Sequence, residues 1–394
     1  MVRANIVPLE VSRCNIGKGP PAPVHFRVAG QLVTLGKSRD LTRSSGTHRF
    51  ETPLAIKAIS ARAGTAWRGS VGSRGKTIRA PIILISQAMG CSTIFHQRWW
   101  LDAAAGDRWL EVRTTLNSGQ WASLKVFRTS KWGIPMLGMP PLSHTLGPEI
   151  HGLEGKPEAI RRMRLFLLDN VIRQLPRHFI FNQVLNAGDL DALAFRLNNF
   201  SVNVEYTYRL EDCSNSAQLL ASMRDKLRNA MRRAEERAEI SKNNMSVSEF
   251  VAFYFQNLDR EDRSPNHSKE VYTRVLEAGL ARGAVELFVA RGPDKSPRAS
   301  ICTVFDDHTM YYLLTTQDRS LKDNGSVAVL IWNAIRSAGE KGLAFDFDGF
   351  GNRGAAAFLS QFGGTLCPRL RVSRMPKPLQ GLMHLGPRFG APEV

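Results

Sequence analysis

Asp346 and Asp348 alternate with Phe345 and Phe347 in the stretch LAFDFDGF of this 394-residue chain. A period of two puts both phenylalanines on one face of a strand and both carboxylates on the other. The phenylalanines then belong to a core. The carboxylates must meet water, a salt-bridge partner or a substrate. In a partly dry cleft such a carboxylate can act as a general base, because desolvation raises its pKa toward neutrality. Upstream, Lys322, Gly325, Ser326 and Val327 lie where an apolar strand hands over to an apolar helix pattern. Free N–H groups and the positive dipole end of a helix start suit a pyrophosphate, and a glycine lets it approach. Asn324–Gly325–Ser326 reads equally well as an ordinary helix cap. Arg224, Arg228 and Arg232 fall at i, i+4 and i+8 of a helix pattern over 215–239, opposite Leu220, Leu227 and Met231. They form either a solvated face or a row of contacts to phosphates, of a coenzyme or of an RNA backbone.

Other chemistries are missing from the pattern. The nine histidines form no H-E-x-x-H, and the five cysteines stand more than 40 residues apart, so neither a metal knuckle nor a disulfide framework is expected. No G-x-S-x-G elbow and no G-x-G-x-x-G after a strand occurs. GSVGSRGKT, from Gly69 to Thr77, imitates a phosphate loop. It has five residues rather than four between Gly69 and Gly75, and no strand precedes it.

The elements that hold the candidate residues show a repeat. From about residue 82 the pattern is globular: a short aromatic helix over 95–105, strands over 110–116 and 121–133, a Pro/Gly loop over 139–148, a helix through Ile160, Met163, Leu167, Val171 and Leu175, a strand over 178–185, a helix over 189–200 and a strand over 201–210. The second half repeats the order. Helices over 215–239, 246–259 and 268–282 precede a strand over 285–291 and a hairpin over 299–316 that turns at Asp306–Asp307. A helix from Ser326 to Lys341, the strand over 344–349, a helix over 353–361 and a strand over 369–375 follow. The repeat predicts an α/β fold with mixed sheets: a unit over 82–211, then a second over 212–394 that carries the donor site.

Composition sets the surroundings. The net charge is +18, but residues 1–80 supply +11 of it, from 14 Lys/Arg against 3 Asp/Glu. The basicity belongs to the first fifth of the chain and argues against a nucleic-acid-binding core. Residues 1–81 are rich in Arg, Gly and Ser and read as a poorly ordered basic arm, with an anion-binding tail or transit peptide as the alternative. No apolar run reaches the roughly 18 residues of a membrane span. With no apolar h-region and no disulfide pattern, a reduced, cytoplasmic location is expected.

Taken together, FHQRWWLDAA, MPPLSHTLGP, LRNAMRRAEE and the block YYLLTTQ…NGSVAVLIWNAIRSAGEKGLAFDFDGF resemble the FemAB-like branch of the GNAT acyltransferase superfamily over about residues 90–380. The resemblance implies two tandem GNAT-like units. It also implies transfer of an acyl or aminoacyl group to the amine of a small molecule, a peptide or a cell-wall precursor. The donor it implies is acyl-CoA as a co-substrate, with no tightly bound cofactor, or aminoacyl-tRNA in the peptidoglycan bridge-forming branch. The superfamily's donor motif, Arg/Gln-x-x-Gly-x-Gly/Ala, maps onto Lys322, Gly325 and Val327. Direct attack by a neutral amine needs a proton acceptor, for which Asp346 or Asp348 is the candidate, and backbone N–H groups for the oxyanion. Tyr311 or Tyr312 is the candidate proton donor to the leaving group. A binding protein that keeps the fold without the chemistry stands as the third reading.

Overall fold

A computed structural model describes residues 25–28, 31–34, 92–131, 133–321 and 325–376. The chain divides into two compact units, Met1–Arg79 and Ala80–Val394. The first contributes one antiparallel hairpin, β1 (His25–Val28) and β2 (Gln31–Thr34). The remainder of the basic arm, with GSVGSRGKT, lies outside the described residues.

The second unit is built on one twelve-stranded sheet. Its first half runs α1 (Arg98–Ala105), β3 (Trp109–Thr115), β4 (Trp121–Lys131), β5 (Ile134–Gly138), β6 (Glu149–His151), α2 (Pro157–Arg173), β7 (Ile180–Val184), α3 (Leu193–Leu197) and β8 (Ser201–Leu210). Its second half runs α4 (Ser216–Ser222), α5 (Asp225–Glu235), β9 (Glu239–Lys242), α6 (Val247–Arg260), α7 (Lys269–Leu280), β10 (Val285–Arg291), β11 (Pro297–Phe305), β12 (Thr309–Gln317), α8 (Ser326–Glu340), β13 (Ala344–Asp346), α9 (Arg353–Leu359) and β14 (Thr365–Arg374). The expected α/β class and its repeated order of elements are both present.

Each half pairs its meander antiparallel and then crosses over a helix to a parallel strand: β5 to β7 through α2, and β12 to β13 through α8. The closing strands are exchanged. β14, from the second half, pairs with β7 of the first, while β8, from the first half, pairs with β13 of the second. β8 and β14 pair with each other over nine residues, from Thr365↔Arg209 to Ser373↔Ser201. The chain boundary near residue 211 is therefore not a boundary in the sheet.

Central strands read as continuous apolar runs because both faces are covered. In β10 the first six residues are all buried. On one face α8 and α5 pack with Phe345, Phe347 and Tyr312. On the other, α1, α6 and α7 pack with Phe95, Trp100 and Tyr311. A third core, around Leu167, Phe181 and Phe195, serves the first half.

Two features of β12 shape the candidate site. Its pairing with β13 stops at Tyr311↔Asp346, while β12 continues to Gln317 paired only with β11, so the parallel pair parts into a splay. A bulge leaves Leu313 with no opposite residue, between Cys302↔Leu314 and Thr303↔Tyr312. Bulges re-aim the backbone beside functional sites. The first half has the same parallel pair, Met136↔Ile180 and Leu137↔Phe181, but the chain itself fills the gap beyond it. Val184 N–H donates to Met139 Sδ at 3.2 Å, and Leu146 N–H donates to Val184 O at 2.8 Å. One splay is plugged by the 139–148 loop.

Candidate active site at the splayed strands

β13 lasts only three residues because Asp348 adopts φ 63°, a left-handed conformation that ends the strand. Phe345 and Phe347 are buried as the alternation predicts, and Asp346 points to the opposite face. Asp346 is only 2% exposed. It accepts hydrogen bonds from Thr207 Oγ1 at 2.6 Å, Arg209 Nη1 at 2.9 Å and the Asp348 N–H at 2.8 Å. Burial pushes its carboxyl up, but Arg209 and Arg369 together with these donors win and hold it below the usual carboxylate range. A carboxylate so saturated is a fixed charge and a poor proton acceptor.

Asp348 lies just beyond the strand end, with its side chain 13% exposed. Arg369 grips it twice, Nη1 on Oδ1 at 3.1 Å and Nη2 on the backbone oxygen at 2.9 Å. His144 comes from the loop that plugs the first half, and its Nδ1 lies 2.7 Å from Asp348 Oδ1. The His144 ring is 10% exposed and leans on Phe95, with centroids 5.1 Å apart. The contact with Asp348 is a short ion-pair approach out of line for a hydrogen bond, and among the described residues neither ring nitrogen of His144 has a hydrogen-bond partner. A carboxylate 2.7 Å from one ring nitrogen, with the second nitrogen open, becomes an oriented general base once the ring turns into line with Asp348.

Tyr311 is paired in register with Asp346 across the last rung before the splay. Its hydroxyl donates to Asp306 Oδ2 at 3.2 Å, and the same oxygen accepts the Ile94 N–H at 3.0 Å. Burial first, then Asp306 and Asp346, push the phenol well above its usual value. Tyr311 is a fixed, protonated contact in the wall behind the site, and its proton is committed to Asp306.

The proposed phosphate turn is differently built. Lys322 lies outside the described residues. Gly325 caps α8 with φ −139°, and a Cβ placed on it would stand 2.2 Å from the Ala230 carbonyl oxygen of α5. The missing side chain thus lets α5 lie directly on the start of α8. Ser326 is fully buried and Val327 half-buried at that contact. The 215–239 pattern is two helices and not one: α4 and α5 are separated by Met223 and Arg224, α5 ends at Glu235, and β9 begins at Glu239. The break has a polar cause. Arg228 caps the end of α4 through Leu220 O at 3.2 Å and Ala221 O at 3.1 Å, and also pairs with Asp225. Arg224 occupies the N-cap position of α5 without a side-chain capping bond, and Arg224 and Arg232 are exposed. The three arginines therefore do not form one continuous row.

The fold and these contacts now meet their relatives. Residues 221–358 match the family described as acetyltransferase (GNAT) domain. Among solved structures the chain is similar to FemX, at 13% identity over 76% of this chain and 96% of that one, with a TM-score of 0.55. It is also similar to the C-terminal domain of a putative lysylphosphatidylglycerol synthetase from Agrobacterium fabrum (11% identity, 75% and 93% covered, TM-score 0.47). A tandem GNAT protein from the clavulanic acid biosynthesis pathway aligns at 7% identity over 68% and 83%, with a TM-score of 0.40. No curated protein matches. Residues 221–358 thus match a GNAT acetyltransferase domain, and the chain shares its fold with FemX. Among the described residues no helix is long and apolar enough to cross a membrane.

The residue that sequence reasoning missed is His144. Nothing in its local spacing marks it, because its partner Asp348 is some two hundred positions away. The one signal was the MPPLSHTLGP loop itself, an ordered-looking Pro/Gly segment with a histidine at its centre.

Proposed function

We propose that the protein transfers an acyl group to an amine at the mouth of the β12–β13 splay, with His144 as general base and Asp348 as its orienting carboxylate. The observation that carries this reading is the 2.7 Å approach of His144 Nδ1, from the first half, to Asp348 Oδ1, from the second. The amine nitrogen attacks the acyl carbonyl and a C–N bond forms. His144 Nε2 takes the proton, and the imidazolium is stabilised by Asp348. Backbone N–H groups at the Leu313 bulge are assigned to the oxyanion. The tetrahedral intermediate then breaks its bond to the donor, and the leaving thiolate or alkoxide receives the proton from the imidazolium. No covalent enzyme intermediate is required. Asp346, pinned by Arg209, fixes the end of β13 and supplies no proton transfer.

Acyl-CoA is the first donor, supported by the GNAT domain match over residues 221–358. One observation favours the second donor, aminoacyl-tRNA. The backbone of α5 covers Gly325, where a pyrophosphate would approach closest. Thermal shift separates the two. A rise in Tm with acetyl-CoA supports the first. No shift with any acyl-CoA, together with tRNA binding that weakens with salt and on Arg224→Ala/Arg232→Ala substitution, supports the second. Neither effect, with no amide formed from either donor, would sink the proposal.

A further inference from the structure

His144 sits on a loop, and a general base must be held within a fraction of an ångström to be effective. The loop is gripped from one short segment. Trp100 Nε1 donates to Ser143 Oγ at 2.9 Å. The Phe95 ring lies between His144, at 5.1 Å, and Tyr311, at 4.9 Å. His96 Nε2 meets Gly147 O at 2.9 Å. The three grips fall on loop residues 143, 144 and 147, and they come from residues that are at most 2% exposed.

The His96 tautomer follows from its partners. Its Nδ1 receives the Thr93 N–H at 3.2 Å and lies 2.8 Å from Thr93 Oγ1, so Nε2 carries the hydrogen and donates to the Gly147 carbonyl. The segment is itself anchored to the second half, because the Ile94 N–H donates to Asp306, the carboxylate that also holds Tyr311. Close enough to His96 to act on its charge, half-buried Lys125 and buried Glu149 form an ion pair. A leucine or phenylalanine would fill these positions at lower desolvation cost than a buried histidine and indole N–H, each of which must find a partner. Packing alone does not require donors aimed at this loop.

We infer that the Thr93–Trp100 segment is a clamp, with Phe95, His96 and Trp100 as positioning residues that hold His144 against Asp348. The inference rests on the His144–Asp348 reading above. None of the three touches the reacting atoms. Each acts through the loop.

The test is histidine-ring 15N NMR of the full chain at a pH where His144 is neutral. The dyad predicts that in the wild type the Asp348 carboxylate, 2.7 Å from Nδ1, holds the His144 ring as the Nδ1–H tautomer. Trp100→Phe removes one grip while keeping most of the packing, and it converts His144 to a mixture of tautomers while the His178 signals stay in place. Ser143→Ala removes the same hydrogen bond from the loop side, and it gives the same conversion if Trp100→Phe fails to fold. His144 still wholly Nδ1–H in folded Trp100→Phe and in Ser143→Ala overturns the clamp and leaves the dyad standing. His144 lacking the Nδ1–H tautomer in the wild type overturns the dyad itself, and the clamp with it.

Discussion

At the scale of residues, three groups at the end of β13 have the right chemistry for base catalysis, and their surroundings separate their roles. Asp346 has three donors, Arg209 among them, Asp348 an arginine and a histidine, and His144 an open second nitrogen. Replacing His144 with Gln should lower kcat by about 10²–10⁴, the usual contribution of a positioned general base. Asp348→Asn should lower it by less, since the imidazole remains but loses its orienting charge. Steady-state kinetics on the two variants checks the order, and equal activity in wild type and His144→Gln would remove the assignment. Asp346 makes a stability prediction. Arg209→Met leaves a buried carboxylate without its main partner and should cost about 3–5 kcal/mol in urea denaturation. Adding Asp346→Asn to that variant should recover part of the loss.

Acid lability follows from the same environments. Burial lowers the His96 pKa, so below the ordinary imidazole value of about 6.5 the unfolded chain takes up a proton that the native state refuses. Stability therefore falls as the pH drops from there. Asp346 has a depressed value, so its contribution is present above the ordinary carboxylate pKa of about 4 and is lost as the pH falls further. Burial lowers His178 and His267 as well, so urea midpoints should decline in two stages, and His96→Gln should shrink the upper one without removing it. A midpoint that stays flat through the histidine range in the wild type contradicts the buried, neutral His96.

At the scale of elements, α8 is held by close backbone approach at both ends. A Cβ on Gly325 would stand 2.2 Å from Ala230 O, and one on Gly339 would stand 2.1 Å from Cys213 O. Gly325→Ala should destabilise by about 1–3 kcal/mol, the range for overpacking, and at an N-cap position alanine offers no propensity gain to offset it. An unchanged denaturation midpoint would show that α5 does not seat there. This glycine also shows how far the sequence could be read. The order of elements, the apolar face of α8 and the Phe345/Phe347 alternation are local patterns, and β8 and β10 were placed to the residue. The purpose of Gly325 was not local. A cap, a phosphate turn and a helix crossing all ask for glycine, and only the position of α5 decides among them. The 215–239 pattern misled for a related reason. Its apolar and basic faces continue through the break, while Arg228 folds back to cap α4. Asp348 fell outside its strand because its positive φ leaves no trace in a Phe-Asp alternation.

At the scale of the whole molecule, the exchange of β8 and β14 ties the halves together. A fragment over 82–211 would carry β7 and β8 without the strand that lies between them, and one over 212–394 would leave β13 without its antiparallel neighbour. Neither fragment should give cooperative unfolding alone, and a mixture of the two should recover it, as followed by circular dichroism. Independent folding of either fragment would contradict the shared sheet. The same exchange explains why the site spans both halves. The first half has filled its own splay with the 139–148 loop, and that loop delivers His144 to the splay left open in the second.

The most direct measurement is amide formation itself. Wild type and His144→Ala would be incubated with acetyl-CoA or aminoacyl-tRNA and a mixture of primary amines, and products read by mass spectrometry. The account predicts a new amide with one of the two donors, reduced at least about a hundredfold in the variant. Equal product from His144→Ala, or none from the wild type with either donor, would contradict it.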